Sequence, residues 1–240
     1  MVDMDFDLLI IGAGAAGYSA ALRASELGKT ALMVNDPDEV PLGGTCVNVG
    51  CIPSKTLLYQ AALGWQALRS TFQSLALSGK MDLAKALEET RNTVSRMQKS
   101  NYQDTLNAMN TVTYIEDRAR LVDEHTIEVS GRRYTGHYIL IATGARPYVP
   151  TVEGLSDLDY LTHRNVFNLK EPPESLIVLG GGPEALELGQ AFHRFGVRTT
   201  IIQRSERILT KFDPLVAETL QKALLSEGLE IITGTKLLKV

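Results

Sequence analysis

Both cysteines of the 240-residue chain lie in one short segment, residues 43–55. Cys46 and Cys51 are separated by four residues, and Pro53 follows at a position that suits the first turn of a helix. A helix N-terminus stabilises a thiolate, and Lys55, four residues after Cys51, adds a positive charge on the same helical face. This spacing predicts a reactive thiol pair at the start of a helix.

An ideal helix would hold these two cysteines too far apart to form a disulfide. Residues five apart on a helix have Cα atoms about 8.5 Å apart, whereas a disulfide needs roughly 4.4–6.8 Å. The pair can close only if the backbone leaves helix geometry, and Gly50 is the residue that permits this. Two inert, buried cysteines are the alternative. A zinc site is a weaker one, because its other ligands would come from four scattered histidines or from carboxylates.

Composition and charge narrow the class of protein. The chain is 44% hydrophobic, enough for one large or two modest domains, and its formal net charge is −4. This charge argues against nucleic-acid binding, and no apolar run reaches the length of a membrane span. Residues 1–5 are acidic where a secretory signal would be basic. We expect a cytoplasmic protein without nucleic-acid or membrane partners, where a cysteine pair is more often catalytic than structural.

A glycine-rich motif follows the first predicted strand. Residues 6–11 form an apolar run typical of a buried parallel strand, and a helix at 18–27 and a second strand at 29–34 follow. Between strand and helix stands Gly-x-Gly-x-x-Gly, which turns the chain, lets the backbone approach a pyrophosphate and packs helix on strand. The motif predicts a dinucleotide site, and a glycine-rich turn without a ligand is the weaker alternative. Its candidate contacts are Gly12, Gly14, Ala16 and Gly17.

A second motif of the same kind lies in the last third of the chain. Gly180, Gly182 and Ala185 form the accepted Gly-x-Gly-x-x-Ala variant, between a predicted strand at 176–179 and a predicted helix at 184–195. Two motifs in the correct context predict two dinucleotide sites in one protein.

Neither motif is followed by the acid that usually binds the adenosine ribose. Asn35 stands at that place after the first motif, and an amide can still hydrogen-bond a hydroxyl. After the second motif the place is taken by Gln203, followed by Arg204 and Arg207. An arginine here accommodates a ribose 2′-phosphate, which favours NADPH over NADH. Exposed surface arginines are the alternative.

The region between the motifs predicts packing elements and a connector. Apolar residues recur at helical spacing over residues 81–109, after a predicted loop at 71–79. Prolines and polar residues over 147–168 predict a connector between domains. We therefore predict a first domain at 1–150 and a second, incomplete one at 151–240.

Together these features resemble the class I pyridine nucleotide–disulfide oxidoreductases, the family of glutathione reductase, dihydrolipoamide dehydrogenase and mercury(II) reductase. The resemblance covers the whole chain and rests on both glycine motifs, on the segment from Gly44 to Lys55, and on Ala142-Thr143-Gly144. It implies an α/β fold with two Rossmann-like domains, one for FAD and one for NADPH, with NADH less favoured. Electrons would pass from NADPH through FAD to the cysteine pair and on to an acceptor.

The resemblance also implies roles for single residues. Cys51 would lie against the flavin, and Cys46 would meet the substrate. Lys55 would lie near the reactive edge of the flavin, paired with Glu187. Positions that usually contact FAD are matched by Gly44, Thr45, Ala119, Thr143 and Gly144.

Within the family, three stretches are most similar to the mercury(II) reductase branch: the Val-Asn-Val between the cysteines, residues 101–106 and residues 187–192. Cys46 and Cys51 would then hold Hg²⁺ transiently, since a soft cation suits thiolates. Lipoamide and glutathione disulfide are the alternative substrates. A non-catalytic nucleotide-binding fragment is the alternative from another class.

Full-length members of the family are longer and homodimerise through a C-terminal interface domain. The resemblance therefore implies that the C-terminal part of the family fold is absent from these 240 residues. We expect the 240 residues alone to bind FAD poorly and not to turn over.

Overall fold

The computed structural model describes residues 4–75 and 78–240. The chain divides into two compact units, Met1–Pro53 with Asn92–Pro147 and Ser54–Arg91 with Tyr148–Val240. Residues 1–3 of the acidic N-terminus, and Ala76 and Leu77 of the predicted loop at 71–79, lie outside the described residues. The predicted α/β class is confirmed, whereas the predicted domain boundary at residue 150 stays a prediction.

A six-stranded sheet organises the first unit, in the order β3-β2-β1-β6-β5-β4. The first three strands and β6 pair in parallel, whereas β4, β5 and β6 pair antiparallel. The strands are β1 (Phe6–Ile11), β2 (Ala31–Asn35), β3 (Val112–Glu116), β4 (Ala119–Leu121), β5 (Thr126–Val129) and β6 (Arg132–Ile141).

The central strands of this sheet are buried on both faces, as their apolar sequences predict. On one face, Ile10 and Met33 pack in a cluster with Tyr18 and Ala21 of helix α1 (Ala15–Glu26). On the other face, Leu9 and its neighbours pack in a cluster with the inward side chains of β5. Burial on both faces fixes the register of β1, and with it the place of the turn that follows.

Two helices carry the cysteines. Helix α2 (Gly44–Asn48) lies in the first unit, and α3 (Cys51–Leu68) begins there and continues into the second unit. The predicted helix at 81–109 begins at Leu83, because the side chain of Asp82 accepts a hydrogen bond from the Lys85 N–H.

That predicted helix is not one regular α-helix. It comprises α4 (Leu83–Gln98), a π-helical turn (Lys99–Gln103) and α5 (Asp104–Asn107). The Tyr18 hydroxyl lies 3.2 and 3.1 Å from the carbonyl oxygens of Asn101 and Tyr102, so it can donate to the carbonyls of the π-turn.

A three-stranded parallel sheet organises the second unit, in the order β7-β8-β9. One core cluster joins Leu57 of α3 and Leu87 of α4 to Phe192, and a second lies around Ile201 and Leu224. Residues 147–168 contain two short 3₁₀ turns, Leu155–Asp157 and Val166–Asn168. Within the described residues, no helix has the length and apolar character needed to cross a membrane. The elements are β7 (Ser175–Leu179), α6 (Pro183–Arg194), β8 (Arg198–Ile202), α7 (Pro214–Glu227) and β9 (Glu230–Ile232).

Candidate functional site

The first glycine-rich turn has a geometry that only glycine permits at two of its positions. Gly12 has φ +105°, and a Cβ there would lie 2.4 Å from the carbonyl oxygen of Ala142. A Cβ on Gly17 would lie 1.9 Å from the carbonyl oxygen of Gly12, so this glycine lets α1 pack against the turn. Gly14 is the N-cap of α1 and provides no side-chain cap. The helix start therefore keeps N–H groups that can bind a phosphate, with Ala16 exposed in its first turn.

Asn35 lies at the predicted ribose position, but its amide is bonded within the protein. Its Oδ1 accepts a hydrogen bond from the Ala13 N–H at 3.0 Å, and its Nδ2 donates to the Val40 carbonyl at 3.0 Å. The side chain is buried. Asn35 therefore holds the glycine-rich turn to the end of β2.

The cysteine segment packs directly on this turn. The Gly43 N–H donates to the Ala13 carbonyl oxygen at 2.9 Å. Gly43 and Gly44 have φ +94° and +65°, and a Cβ on Gly44 would lie 2.5 Å from the Cα of Gly14. Thr45 and the first cysteine follow in α2. The backbone that carries the thiols is therefore fixed against the candidate phosphate site.

The helix breaks between the two cysteines, so the backbone leaves helix geometry there, as a close pair would require. Cys46 lies in α2, which ends at Val49 with φ −138° and ψ 4°, and Cys51 is the first residue of α3. A Cβ on Gly50 would lie 2.9 Å from the Thr45 carbonyl oxygen, so the bend needs a residue without a side chain. The Cys46 side chain is half-buried and the Cys51 side chain is exposed.

Asn48 is a positioning residue that the sequence analysis did not single out. Its Nδ2 lies 3.1, 3.0 and 2.9 Å from the carbonyl oxygens of Pro41, Leu42 and Gly44. One side chain thus closes the loop before α2. The available signal was an asparagine within a short helix, where its amide competes with backbone hydrogen bonds.

The two thiols form an interacting pair. The hydrogen bond with Cys51, partial burial and the charge of Cys51 together raise the pKa of the Cys46 thiol above its ordinary value. Burial, and then the charges of the two cysteines, likewise raise the pKa of the Tyr102 phenol. Tyr102 packs edge-on against Tyr18 with ring centroids 4.7 Å apart. Its phenol therefore lies within electrostatic reach of the thiol pair.

Replacement of Cys51 by alanine is expected to lower the pKa of Cys46. The side-chain hydrogen bond and the charge of Cys51 disappear in Cys51→Ala, while burial of Cys46 and its hydrogen bond with the Cys51 backbone, which lowers the pKa, remain. The pH dependence of Cys46 alkylation by iodoacetamide, followed by mass spectrometry, measures the change. The variant Tyr102→Phe keeps both thiols and serves as the control. An unchanged alkylation midpoint in Cys51→Ala would show that Cys51 does not hold the proton on Cys46.

The second glycine-rich turn repeats the hydrogen bonds of the first. The Gly180 N–H donates to the Ile202 carbonyl at 2.8 Å, as the first turn donates to the end of β2. The Gly181 N–H donates to Oε1 of Gln203 at 2.9 Å, the counterpart of the asparagine contact. Gly180 has φ +114°, and a Cβ at Gly180 or Gly182 would meet no atom within 4 Å. The turn is therefore open on the side where a pyrophosphate could lie.

The start of α6 is a second potential phosphate site. Gly182 is its N-cap without a side-chain cap, and Ala185 lies in its first turn. Glu184, also in this turn, lies 2.9 Å from Nδ1 of His163. The imidazole of His163 therefore holds this carboxylate at the start of α6.

The two arginines predicted to bind a 2′-phosphate have different surroundings. The Arg207 guanidinium donates to the carbonyl oxygens of Leu209, Thr210 and Phe212 at 3.0–3.2 Å. Arg204 is exposed. Arg207 thus fastens the loop after β8, and Arg204 is the residue that presents its charge to solvent.

Lys55 and Glu187, which the resemblance pairs, form an ion pair between α3 and α6. Both residues lie in the second unit, and Lys55 follows Cys51 by one turn of the same helix. Both side chains are solvent-exposed, so the ion pair adds little to the stability of the fold. Its main effect is to hold the charge of Lys55 in place.

The remaining predicted flavin contacts lie at two places in the first unit. Thr143 and Gly144 follow β6 beside the first turn, where a Cβ on Gly12 would lie 3.2 Å from the Cα of Thr143. Ala119 begins β4 and pairs with Val129 of β5. Within residues 4–75 and 78–240, no three His, Cys, Asp or Glu side chains are grouped to hold a metal ion.

Comparison with known proteins identifies the family. The profile of the pyridine nucleotide-disulphide oxidoreductases matches residues 6–240, so the chain belongs to this family. A mercuric reductase of Staphylococcus aureus is 42% identical over 239 residues, which are 99% of this chain and 43% of that protein. A dihydrolipoyl dehydrogenase of Geobacillus stearothermophilus is 34% identical over 237 residues, 96% of this chain and 49% of that protein.

A solved structure of a flavoprotein disulfide reductase is also similar to this chain. The HOCl-induced flavoprotein disulfide reductase RclA from Escherichia coli matches with a TM-score of 0.84 at 27% identity, over 98% of this chain and 50% of that one. The chain thus spans between 43% and 50% of the length of these relatives.

Proposed function

We propose that the chain belongs to an NADPH-dependent flavoenzyme that reduces Hg²⁺ at Cys46 and Cys51. The observation that carries the proposal is the pair of interacting cysteine side chains, on a helix break that packs against the first glycine-rich turn. The higher identity to a mercuric reductase than to a dihydrolipoyl dehydrogenase, 42% against 34%, favours Hg²⁺ over lipoamide as the acceptor.

The residues of both turns fit dinucleotide cofactors. The first turn and the start of α1 would hold the pyrophosphate of FAD, with Thr143 and Gly144 beside it. The second turn and the start of α6 would hold NADPH, with Arg204 facing the 2′-phosphate. Gln203 supports NADPH over NADH, since no carboxylate stands there to repel a phosphate. When bound, FAD supplies the two-electron carrier between the nicotinamide and the thiol pair.

The thiol pair has the chemistry to bind a soft cation. Hg²⁺ prefers thiolates, and each thiol gives up its proton when it binds the metal. The raised pKa of Cys46 makes its proton harder to remove than that of an ordinary cysteine thiol. Lys55 would place a positive charge one helical turn beyond Cys51. The reaction balances as NADPH + Hg²⁺ → NADP⁺ + H⁺ + Hg⁰.

The test is NADPH oxidation by the purified protein at its natural length. Addition of Hg²⁺ with excess thiol is expected to start oxidation, followed by the loss of absorbance of NADPH, and NADH is expected to be the poorer donor. Replacement of both Cys46 and Cys51 by serine is expected to abolish the Hg²⁺-dependent rate. Lys222→Ala, in an exposed ion pair on α7, is the control and is expected to keep it.

Turnover with other electron acceptors distinguishes between the branches of the family. Turnover of lipoamide or glutathione disulfide, with none of Hg²⁺, would reject mercury as the substrate and keep the disulfide reductase assignment. Cu²⁺ is a useful comparison ion, because the Escherichia coli reductase has been obtained as a Cu(II) complex. A protein that binds no flavin and oxidises no NADPH would instead support a non-catalytic nucleotide-binding role.

A further inference from the structure

The first nucleotide site lacks a carboxylate at the usual ribose position. A carboxylate at the end of β2 offers two oxygens, so one can bind the glycine-rich turn and the other a ribose hydroxyl. Asn35 keeps only the first of these functions, through the bond from Ala13 to Oδ1. Its second polar atom is the Nδ2 donor, which bonds to the Val40 carbonyl. Because the Asn35 side chain is also buried, a more exposed residue is better placed to accept from a ribose hydroxyl.

Glu116 lies directly beside Asn35 in the sheet. The two residues are partners in the parallel register of β2 and β3, where neighbouring strands lie about 4.8 Å apart. The Asp117 N–H donates to the Asn35 carbonyl oxygen at 2.9 Å, which extends this pairing beyond the last strand residue. Paired residues of parallel strands point to the same face of the sheet, so the Glu116 carboxylate lies at the same edge as the amide. The Glu116 side chain is exposed and can reach a ligand.

Tyr114 orients this carboxylate. Its ring packs against the core cluster that contains Met33 and Ala13, and its hydroxyl donates to Oε1 of Glu116 at 3.3 Å. Burial, followed by the charge of Glu116, raises the pKa of the phenol far above its ordinary value. The hydroxyl therefore stays protonated and remains a donor over the neutral pH range. One carboxylate oxygen is thus held by the tyrosine, which leaves the other to accept from a ligand.

We propose that Glu116 replaces the missing strand-end acid and accepts a hydrogen bond from an adenosine ribose hydroxyl of FAD. This inference rests on the proposed function, since it requires that the first unit bind FAD. Asp36 is the other acid beside Asn35, but its Oδ1 accepts from the Asp38 N–H at 3.1 Å and so shapes the turn after β2. Glu116 is a specificity residue for the ribose, whereas Tyr114 is a positioning residue.

The test is a comparison of two ligands and two matched variants. Glu116→Gln and Asp36→Asn each replace one carboxylate by an amide of the same size. The ligands are FAD and its analogue with 2′,3′-dideoxyadenosine, titrated into the apoprotein at its natural length by equilibrium dialysis. Wild type is expected to bind FAD about tenfold more tightly than the analogue, the effect of one hydrogen bond to a charged group. Glu116→Gln is expected to lose most of this preference, and Asp36→Asn to keep it.

The outcomes separate this inference from the proposed function. If Glu116→Gln weakens both ligands by the same factor, or only Asp36→Asn removes the preference, Glu116 does not bind the ribose although the flavin site stands. If wild type binds neither ligand, the proposed flavin site fails, and this inference fails with it. Circular dichroism of the variants checks that each one is folded.

Discussion

Gly44→Ala is expected to destabilise the first unit by about 2–5 kcal/mol and to abolish tight flavin binding. At φ +65°, an alanine costs about 1–2 kcal/mol relative to glycine. The new Cβ would also lie 2.5 Å from the Cα of Gly14, and a backbone atom cannot rotate away. Relief of this overlap would have to move the glycine-rich turn or the cysteine segment, and such overpacking costs about 1–3 kcal/mol.

Gly28→Ala is the matched control. Gly28 also lies in the first unit and has φ +66°, but a Cβ there would meet no atom within 4 Å. It therefore reports the cost of the backbone conformation alone, about 1–2 kcal/mol. Urea denaturation measures both variants, and the midpoints can be compared if the slopes are unchanged. Equal losses of stability in the two variants would show that the contact between Gly14 and Gly44 is not tight.

The expected effect on function follows from the same contact. Gly44 joins the turn that would hold a pyrophosphate to the helix that carries Cys46. A shift there changes the cofactor site and the thiol pair together. Gly44→Ala is thus expected to change both flavin affinity and the alkylation of Cys46, whereas Gly28→Ala is expected to change neither.

Local features of the site could be predicted from the sequence. Each glycine motif lies between a strand and a helix, and all three elements are formed by consecutive residues, so their order can be predicted from the local sequence. The break between Cys46 and Cys51 also agrees with the sequence. A close pair is incompatible with ideal helix geometry, and Gly50 allows the backbone to leave it.

Features that depend on distant partners could not be predicted. The sequence pattern locates Asn35 at the end of β2, but its bonds to Ala13 and Val40 depend on how the loop after β2 folds back. The position of Arg207 after β8 predicts a phosphate contact, whereas its bonds to three carbonyl groups depend on how the loop after β8 folds. Tyr102 approaches the thiols through a π-turn, for which no sequence pattern was available.

The unit to which a helix belongs also depends on distant packing. Residues 54–91 precede the predicted boundary, yet they lie in the second unit because Leu57 and Leu87 pack in one cluster with Phe192. Hydrophobic spacing identifies the buried face of a helix, but many apolar surfaces could cover that face. The same unit therefore contains both Lys55 and its partner on α6.

The position of α6 depends on a half-buried carboxylate at the end of α7. Arg194 donates to both oxygens of Glu227, at 2.9 and 2.6 Å, and Gln190 adds bonds of 3.0 and 3.1 Å. The arginine and glutamate side chains are only 15% and 18% exposed. Since α6 also carries Glu187 and begins at the second glycine-rich turn, this network fixes the helix that the proposed NADPH site requires.

Arg194→Ala is expected to destabilise the second unit by about 2–3 kcal/mol at neutral pH, somewhat less than the loss of one partner from a fully buried pair. Burial opposes ionisation of Glu227, but the bonds from Arg194 and Gln190 outweigh it and lower the pKa of the carboxyl. A lowered folded pKa gives stability that is present above the unfolded pKa and is lost as the pH falls through the folded pKa. The difference between wild type and variant is therefore expected to shrink under acidic conditions.

Urea denaturation at several pH values between neutral and acidic measures this difference. Lys222→Ala is the control, because it removes an exposed ion pair from α7 and is expected to change stability little at any pH. The double variant Arg194→Ala/Glu227→Gln is expected to recover part of the loss, since no charge then remains half-buried without its partner. A loss in Arg194→Ala that is the same at neutral and acidic pH would indicate lost packing of the arginine stem in place of a lost charge pair.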